Sequence, residues 1–231
     1  MLVNDVLESV TLRYNDTDYV RLSQSQYLKF LDDAISKLIL VRPDAHVKTA
    51  IVGLAEGTRQ TIPSDGYALI DIYMNKEEVA TATYDNGAPV LQVERKDLDY
   101  FSDWHNAATT STEIDEFAYD SRSPRTFWVS PPPSADDTVF VEMDYSYGHV
   151  VKFADLTDDF DDILLMTIDI EDIFKSALIA YMLYLCFSTD SSALSDMQLA
   201  AAYEQTFFQG LGIEYQASLL VQPKIDITVS Q

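Results

Sequence analysis

Hydrophobic residues recur at two different periods along the chain, and the change of period divides it into parts. Over residues 27–41 the apolar positions lie three and four residues apart, which predicts a helix with one buried face. Ser23 or Ser25 can cap the start of this helix, and Pro43 prevents it from continuing. A shorter helix is predicted over residues 2–10. The N-terminal part of the chain is therefore expected to be helical.

Apolar and polar residues alternate through the middle of the chain, as they do in strands with one buried face. The predicted strands are 47–54, 58–63, 67–74, a hairpin over 79–93 that turns at Asn86 and Gly87, 112–120, 125–131 and 137–147. Residues 95–105 predict one short polar helix. Three prolines end the strand 125–131, because proline has no N–H for a sheet ladder, and we expect this strand to pair with 137–147.

The strand 125–131 carries aromatic residues on both of its faces. Phe127 and Val129 point to one side, and Trp128 and Ser130 point to the other. We expect one face to pack on the core of its own subdomain and the other to meet a neighbouring subunit or another partner. Phe127, Trp128 and Trp104 are therefore the interface candidates of this region.

The chain returns to the helical period after residue 150. The helix predicted over 169–188 is apolar nearly all round, which indicates burial on two sides. Its expected core residues include Ile173 and, as the main set, Phe174, Leu178, Tyr181, Leu185 and Cys186. A last helix is predicted over 192–217.

The final residues have the pattern of a strand without a local partner. Ile225, Ile227 and Val229 alternate with polar residues after Pro223. A lone strand needs a sheet edge to complete its hydrogen bonds, so we expect the tail to lie against a partner or an adjacent copy. The alternative is that it pairs within its own subunit, on the β segment.

These patterns together predict an α+β fold. Residues 1–45 and 151–218 would form one α-helical bundle of long helices from both ends of the chain, and residues 46–150 an inserted antiparallel β subdomain with a short helix. Residues 219–231 would form an extended tail.

Charge and composition exclude several classes of function. The formal net charge of −23 argues against a protein that grips nucleic acid by neutralising phosphates, although an acidic wall suits a channel through which DNA passes. The single cysteine cannot form an internal disulfide, and the longest apolar run, 177–187, is short of the ~20 residues that span a membrane. We therefore expect no membrane insertion and a reducing compartment.

Chemistry-bearing residues do not converge in the sequence. His46, His105 and His149 are far apart, and the acidic residues between 155 and 162 lack the glycine and the final glutamate of a calcium loop. Cys186 lies in an apolar helix, where a buried structural thiol is expected. We predict no catalytic, metal or cofactor site, and so no enzyme.

Six segments, in order, resemble a family of phage head-to-tail adaptor (connector) proteins, found chiefly in short-tailed phages. The segments are LDDAISKLILVRPDA, GTRQTIPSDGYALIDIYMN, DWH at 103–105, YDSRSPRTFWVSPPP, VFVEMDYSY and IEDIFKSALIAYMLYLCFSTD. The resemblance covers about residues 20–210.

The resemblance implies a structural virion protein at the tail vertex, assembled in the host cytoplasm. Such a protein forms a ring of about twelve copies under the portal protein, extends the DNA channel and supports the tail nozzle or fibres. Genomic DNA would pass through without specific binding. The alternative is another neck or tail-completion protein that does not touch the portal.

Overall fold

The computed structural model describes residues 1–76, 87–100, 104–105, 111–135, 138–189 and 194–221, the last helix from 213 onward by its backbone alone. The chain forms two compact units. Met1–Arg42 and His149–Gln231 make up the helical unit, and Pro43–Gly148 make up the β unit. The sequence predicted the corresponding boundaries after residues 45 and 150.

Within the described residues the fold is mixed α+β, with six α-helices and two sheets. The helices are α1 (Val3–Tyr14), α2 (Gln24–Val41), α3 (Arg95–Tyr100), α4 (Phe160–Leu164), α5 (Lys175–Thr189) and α6 (Leu194–Val221). All except α3 belong to the helical unit. The acidic segment 155–162, for which the sequence predicted no helix, contains the start of α4, and a 3-10 turn, Phe153–Asp155, precedes this helix.

Helix α2 begins and ends where the sequence predicted. The Ser23 hydroxyl accepts a hydrogen bond from the Gln26 N–H, and the Gln26 side chain accepts one from the Ser23 N–H, which is a capping box. The helix ends at Val41, two residues before Pro43. Its apolar stripe is buried, with Tyr27 and Leu31 fully inaccessible.

Helix α5 is the central element of the helical unit and packs against α1, α2 and α6. Phe174, Leu178 and Cys186 are buried as predicted, whereas Tyr181 and Leu185 are only half-buried. The prediction for Ile173 is wrong, since it is 59 % exposed. Residues Asp172–Phe174 form a 3-10 turn rather than the first turn of α5, so Ile173 does not follow the angular spacing of the helix.

The segment Asp172–Thr189 is long and apolar enough to cross a membrane by length and composition alone. Half of its residues are buried inside the protein, however, and its helix packs on three others. The core helix of a folded unit meets the same criterion, so the composition of this segment is explained by its central position.

The described residues of the β unit form two sheets. The strands are β1 (Val47–Gly53), β2 (Arg59–Thr61), β3 (Gly66–Lys76), β4 (Leu91–Val93), β5 (Glu116–Tyr119), β6 (Thr126–Ser130) and β7 (Phe140–Tyr147). One sheet has the order β1-β7-β3 and the other the order β2-β6-β5-β4. All pairs are antiparallel except β4–β5, which is parallel and departs from the expected antiparallel insert.

The predicted pairing of 125–131 with 137–147 is wrong. Strand β6 pairs with β2 and β5, whereas β7 pairs with β1 and β3 in the other sheet. Both sheets pack against one buried cluster, to which β6 contributes Phe127 and Val129 and β7 contributes Val141 and Met143. The prolines after β6 therefore lie in the connection between the two sheets. The next strand, β7, packs on the same core from the other sheet.

Several sequence predictions extend beyond the described residues, among them the helix predicted over 95–105, of which α3 covers Arg95–Tyr100. The predicted hairpin turn includes Asn86, which is not described; near it, Met74 and Pro89 form an antiparallel bridge, and the Asn75 N–H donates to the Ala88 carbonyl over 2.9 Å. Helix α6 continues to Val221, beyond the predicted end at 217, so residues 219–221 are helical rather than part of the predicted extended tail. Ile225, Ile227 and Val229 of the predicted tail lie outside the described residues.

Candidate assembly surfaces

The three aromatic interface candidates of the β unit differ in exposure. Phe127 is fully buried in the core of its own unit. Trp104 is 6 % exposed, packs with Leu98 and donates its indole N–H to Asp99 over 3.2 Å. Trp128 is half-buried on the opposite face of β6 from Phe127. Of these three side chains, only Trp128 offers appreciable surface to a partner while the unit stays folded.

Two arginines flank Trp128 on the outer face of the four-stranded sheet. Arg59 is directly across from Trp128 in the β2–β6 register, so the two side chains share one face. The Arg95 guanidinium lies over the Trp128 ring, 4.0 Å from its centroid, and 3.9 Å from the Asp99 carboxylate. Arg59 is exposed and makes no ion pair with any residue that the structure describes. We call Arg59, Arg95 and Trp128 the Arg–Trp face.

Strand β3 bulges three times on the outer side of the other sheet. Its register with β7 shifts at Tyr67, Ile70 and Tyr73, each of which is an extra residue opposite β7. These side chains are 57 %, 37 % and 41 % exposed, while Leu69 and Ile72 between them are buried in the core. We call Tyr67, Ile70 and Tyr73 the bulge ridge. Sequence reasoning missed it, because alternation over 67–74 predicts a regular strand.

Two aspartates lie beside the bulge ridge, paired across β3 and β7. The Asp144 carboxylate accepts hydrogen bonds from the hydroxyls of Tyr73 and Thr49, both 2.6 Å long. The bond from Tyr73 to this carboxylate, together with burial, raises the pKa of Tyr73 to about 12. Burial also raises the pKa of Asp71; the N–H of Ile72 opposes this shift and the charge of Asp144 adds to it. The surface around the ridge is therefore both apolar and acidic.

The buried carboxylates of the helical unit have structural roles. Asp16 is 4 % exposed and accepts four hydrogen bonds in the loop between α1 and α2. The donors are the N–H groups of Val20, Arg21 and Leu22 and the hydroxyl of Tyr27. Burial alone would raise the pKa of Asp16, but these four donors outweigh it, and the pKa lies below its usual value.

Asp32 holds the 3-10 turn Phe153–Asp155 against α2. Its two carboxylate oxygens accept the N–H groups of Phe153 and Ala154 at 3.1 and 3.0 Å. The ring of His149, also buried, lies with its Nε2 3.4 Å from the Asp32 carboxylate. This carboxylate fixes the point at which the chain re-enters the helical unit.

The remaining chemistry-bearing residues are dispersed. Burial raises the pKa of the Cys186 thiol to about 12, so the thiolate needed of a nucleophile does not form near neutral pH. His46 stacks on Tyr147, and His105 packs on Trp104. Over the described ranges, no three His, Cys, Asp or Glu side chains are grouped so that they could hold a metal ion.

A comparison with protein-family models matches residues 1–223 to the model described as SU10 adaptor protein. The match spans the described parts of both units. The chain belongs to the SU10 adaptor protein family. It is thus a virion-associated structural adaptor of a phage, and its family is not one of enzymes. A search of curated proteins found no match.

Membership of the SU10 adaptor family confirms the prediction that the chain is a phage adaptor protein. The match also includes α1, which the resemblance seen in the sequence did not reach. It ends at residue 223, so Ile225, Ile227 and Val229 lie beyond both the family match and the described residues.

Proposed function

We propose that this SU10 adaptor family member is the head-to-tail adaptor of a short-tailed phage. About twelve copies form a ring under the portal protein, at one vertex of the capsid. The ring extends the DNA channel and carries the tail nozzle or fibres on its other side. The observation that carries this proposal is the adaptor family match over residues 1–223.

The acidic character of the chain supports a role as a DNA conduit. Each copy has a formal net charge of −23, so a ring of about twelve would carry on the order of −280. A wall of the same sign as DNA does not bind the phosphate backbone, and the genome passes through it during packaging and ejection.

The proposal also assigns roles to parts of the subunit. The helices of the helical unit act as one bundle built from both ends of the chain, and α5 is its rigid centre. The C-terminal residues dock on the portal protein or on an adjacent copy through Ile225, Ile227 and Val229. Such a strand gains the hydrogen bonds that it lacks alone by adding to a partner's sheet edge.

Electron cryo-microscopy of the tail vertex tests the proposal. The phage that encodes the chain should show a ring of density for this subunit in contact with the portal. Purified portal protein should also bind the chain, and a variant that lacks residues 222–231 should bind at least tenfold more weakly. A subunit located away from the portal would instead identify another neck or tail-completion protein, and portal binding by the truncated chain at full affinity would remove the tail from the interface.

A further inference from the structure

The β unit presents two different surfaces on opposite sides of its core. The bulge ridge lies on the outer face of the three-stranded sheet, and the Arg–Trp face lies on the outer face of the four-stranded sheet. Both sheets pack their inner faces on one shared cluster, so these outer faces point away from each other. A subunit that binds identical copies head to tail needs two unlike surfaces arranged in this way.

The two surfaces complement each other in charge. Asp71, beside the bulge ridge, is half-buried and adjacent to Asp144, and in the described part of the chain its carboxylate accepts one hydrogen bond, from the N–H of Ile72. Arg59, on the Arg–Trp face, is exposed and lacks an ion-pair partner among the described residues. A carboxylate partly withdrawn from water is stabilised by a nearby guanidinium, which can bind it through two parallel hydrogen bonds.

The two surfaces also carry the residue types that dominate binding energy at protein interfaces. Tyrosine, tryptophan and arginine are enriched among such residues. Tyr67 and Tyr73 project from the ridge, and Trp128 is held in place by Arg95 on the opposite side of the unit. The β-bulges place the ridge side chains outward without disturbing the buried side of β3.

We propose that copies of this chain bind head to tail through the β unit, with the bulge ridge and Asp71 of one copy against Arg59 and Trp128 of the next. The occupant of each surface is a second copy, because every copy carries both complementary surfaces. The inference rests on the proposed ring and deepens it by naming the residues in contact.

Cross-linking with introduced cysteines tests this pairing. Thr61→Cys lies on the same face as Arg59, and Thr49→Cys lies opposite Asp144 on the outer face of the three-stranded sheet; both positions are exposed, and neither is one of the proposed contact residues. The native Cys186 is buried and serves as an unreactive background. With a short bismaleimide, the double variant should give a ladder of dimers, trimers and larger products, and each single variant should give none. Dimers from a single variant would show a symmetric contact and overturn the proposal.

Charge reversal tests the Asp71–Arg59 contact within the same assay. Asp71→Lys and Arg59→Glu, each added to the double-cysteine chain, should abolish the ladder, and the two together should restore it. Asp158→Lys and Lys29→Glu make the same charge changes at exposed positions of the helical unit and should leave the ladder intact. Failure of the combined reversal to restore any product would overturn the ion pair.

The assay is run on the purified chain at high concentration and on phage particles that incorporate it. A chain present in the particles without a ladder would overturn this interface and leave the proposed function standing. Absence of the chain from the particles would overturn the proposed function. In that case the head-to-tail interface is tested with the purified chain alone. A ladder of cross-linked products supports the interface, and the absence of a ladder overturns it.

Discussion

Two acidic regions of the molecule withdraw a carboxylate from water with opposite results. In the loop between α1 and α2, Asp16 meets four donors, and its pKa falls below the usual value. At the bulge ridge, Asp71 meets one backbone N–H and a second carboxylate, and its pKa rises. Burial is therefore not the cause of the difference between the two pKa shifts. The cause is the number of hydrogen-bond donors that the fold supplies to each carboxylate. The first carboxylate is satisfied within its own chain, whereas the second is the one that we propose pairs with Arg59 of another copy.

The largest expected effect comes from removing the satisfied carboxylate. Asp16→Ala leaves three N–H groups and the Tyr27 hydroxyl without their buried acceptor, and we expect a loss of about 3 kcal/mol in the free energy of unfolding. Urea denaturation measures this. Asp18→Ala, at an exposed position of the same loop, is the control and should change stability by less than about 0.5 kcal/mol. Equal effects of the two would mean that Asp16 does not organise the loop.

The pH dependence of stability should separate Asp16 from the other acidic residues. Because the folded pKa of Asp16 is lowered, its contribution is complete above its unfolded pKa of about 3.9 and is lost as the pH falls through the folded value. The difference in stability between the wild type and Asp16→Ala should therefore be constant near neutral pH and shrink below pH ~4. A difference that stays constant into the acid range would contradict the lowered pKa.

A smaller effect is expected from removing one of the four donors. Tyr27→Phe deletes the hydroxyl that bonds to Asp16 and keeps the buried ring, and should cost about 1 kcal/mol. In the double variant with Asp16→Ala this cost should mostly disappear, because the acceptor is already gone. Additive losses in this double-mutant cycle would show that the hydroxyl and the carboxylate act independently.

The smallest effect should have the opposite sign. Because the folded pKa of Asp71 is raised, its charged form weakens the free subunit above the unfolded pKa, and this penalty disappears as the pH falls. Asp71→Asn should therefore stabilise the free subunit near neutral pH, by roughly a few tenths of a kcal/mol after solvent screening. The same variant should weaken the head-to-tail cross-linking. Thermal unfolding near neutral pH and near pH 4 checks the sign, and a destabilised variant at neutral pH would contradict it.

The helices could be predicted from the sequence because their signals are local. The three- and four-residue spacing over α2, its serine cap and its terminal proline all act within a few turns of chain. The all-apolar character of α5 likewise indicated a central helix, which three neighbours now surround. Its first turn was misjudged, because the 3-10 geometry of Asp172–Phe174 is not visible in the spacing.

The sheet partners could not be predicted in the same way. Alternation located β6 and β7 correctly, but a strand's partner is chosen by which face can join a common core, and that choice involves residues distant in sequence. The register shifts of β3 could not be predicted either. Its inward residues Leu69 and Ile72 are three apart, a spacing that alternation does not anticipate.

The sequence by itself determined the positions of the long helices and of the strands, the acidic balance and the resemblance to phage adaptors, since each depends on neighbouring residues or on composition. The tertiary structure alone decided that Asp16 is surrounded by donors, that Asp71 is not, and that the bulge ridge and the Arg–Trp face lie on opposite sides of one core. Those features depend on distances between segments far apart in the chain, which no local period encodes.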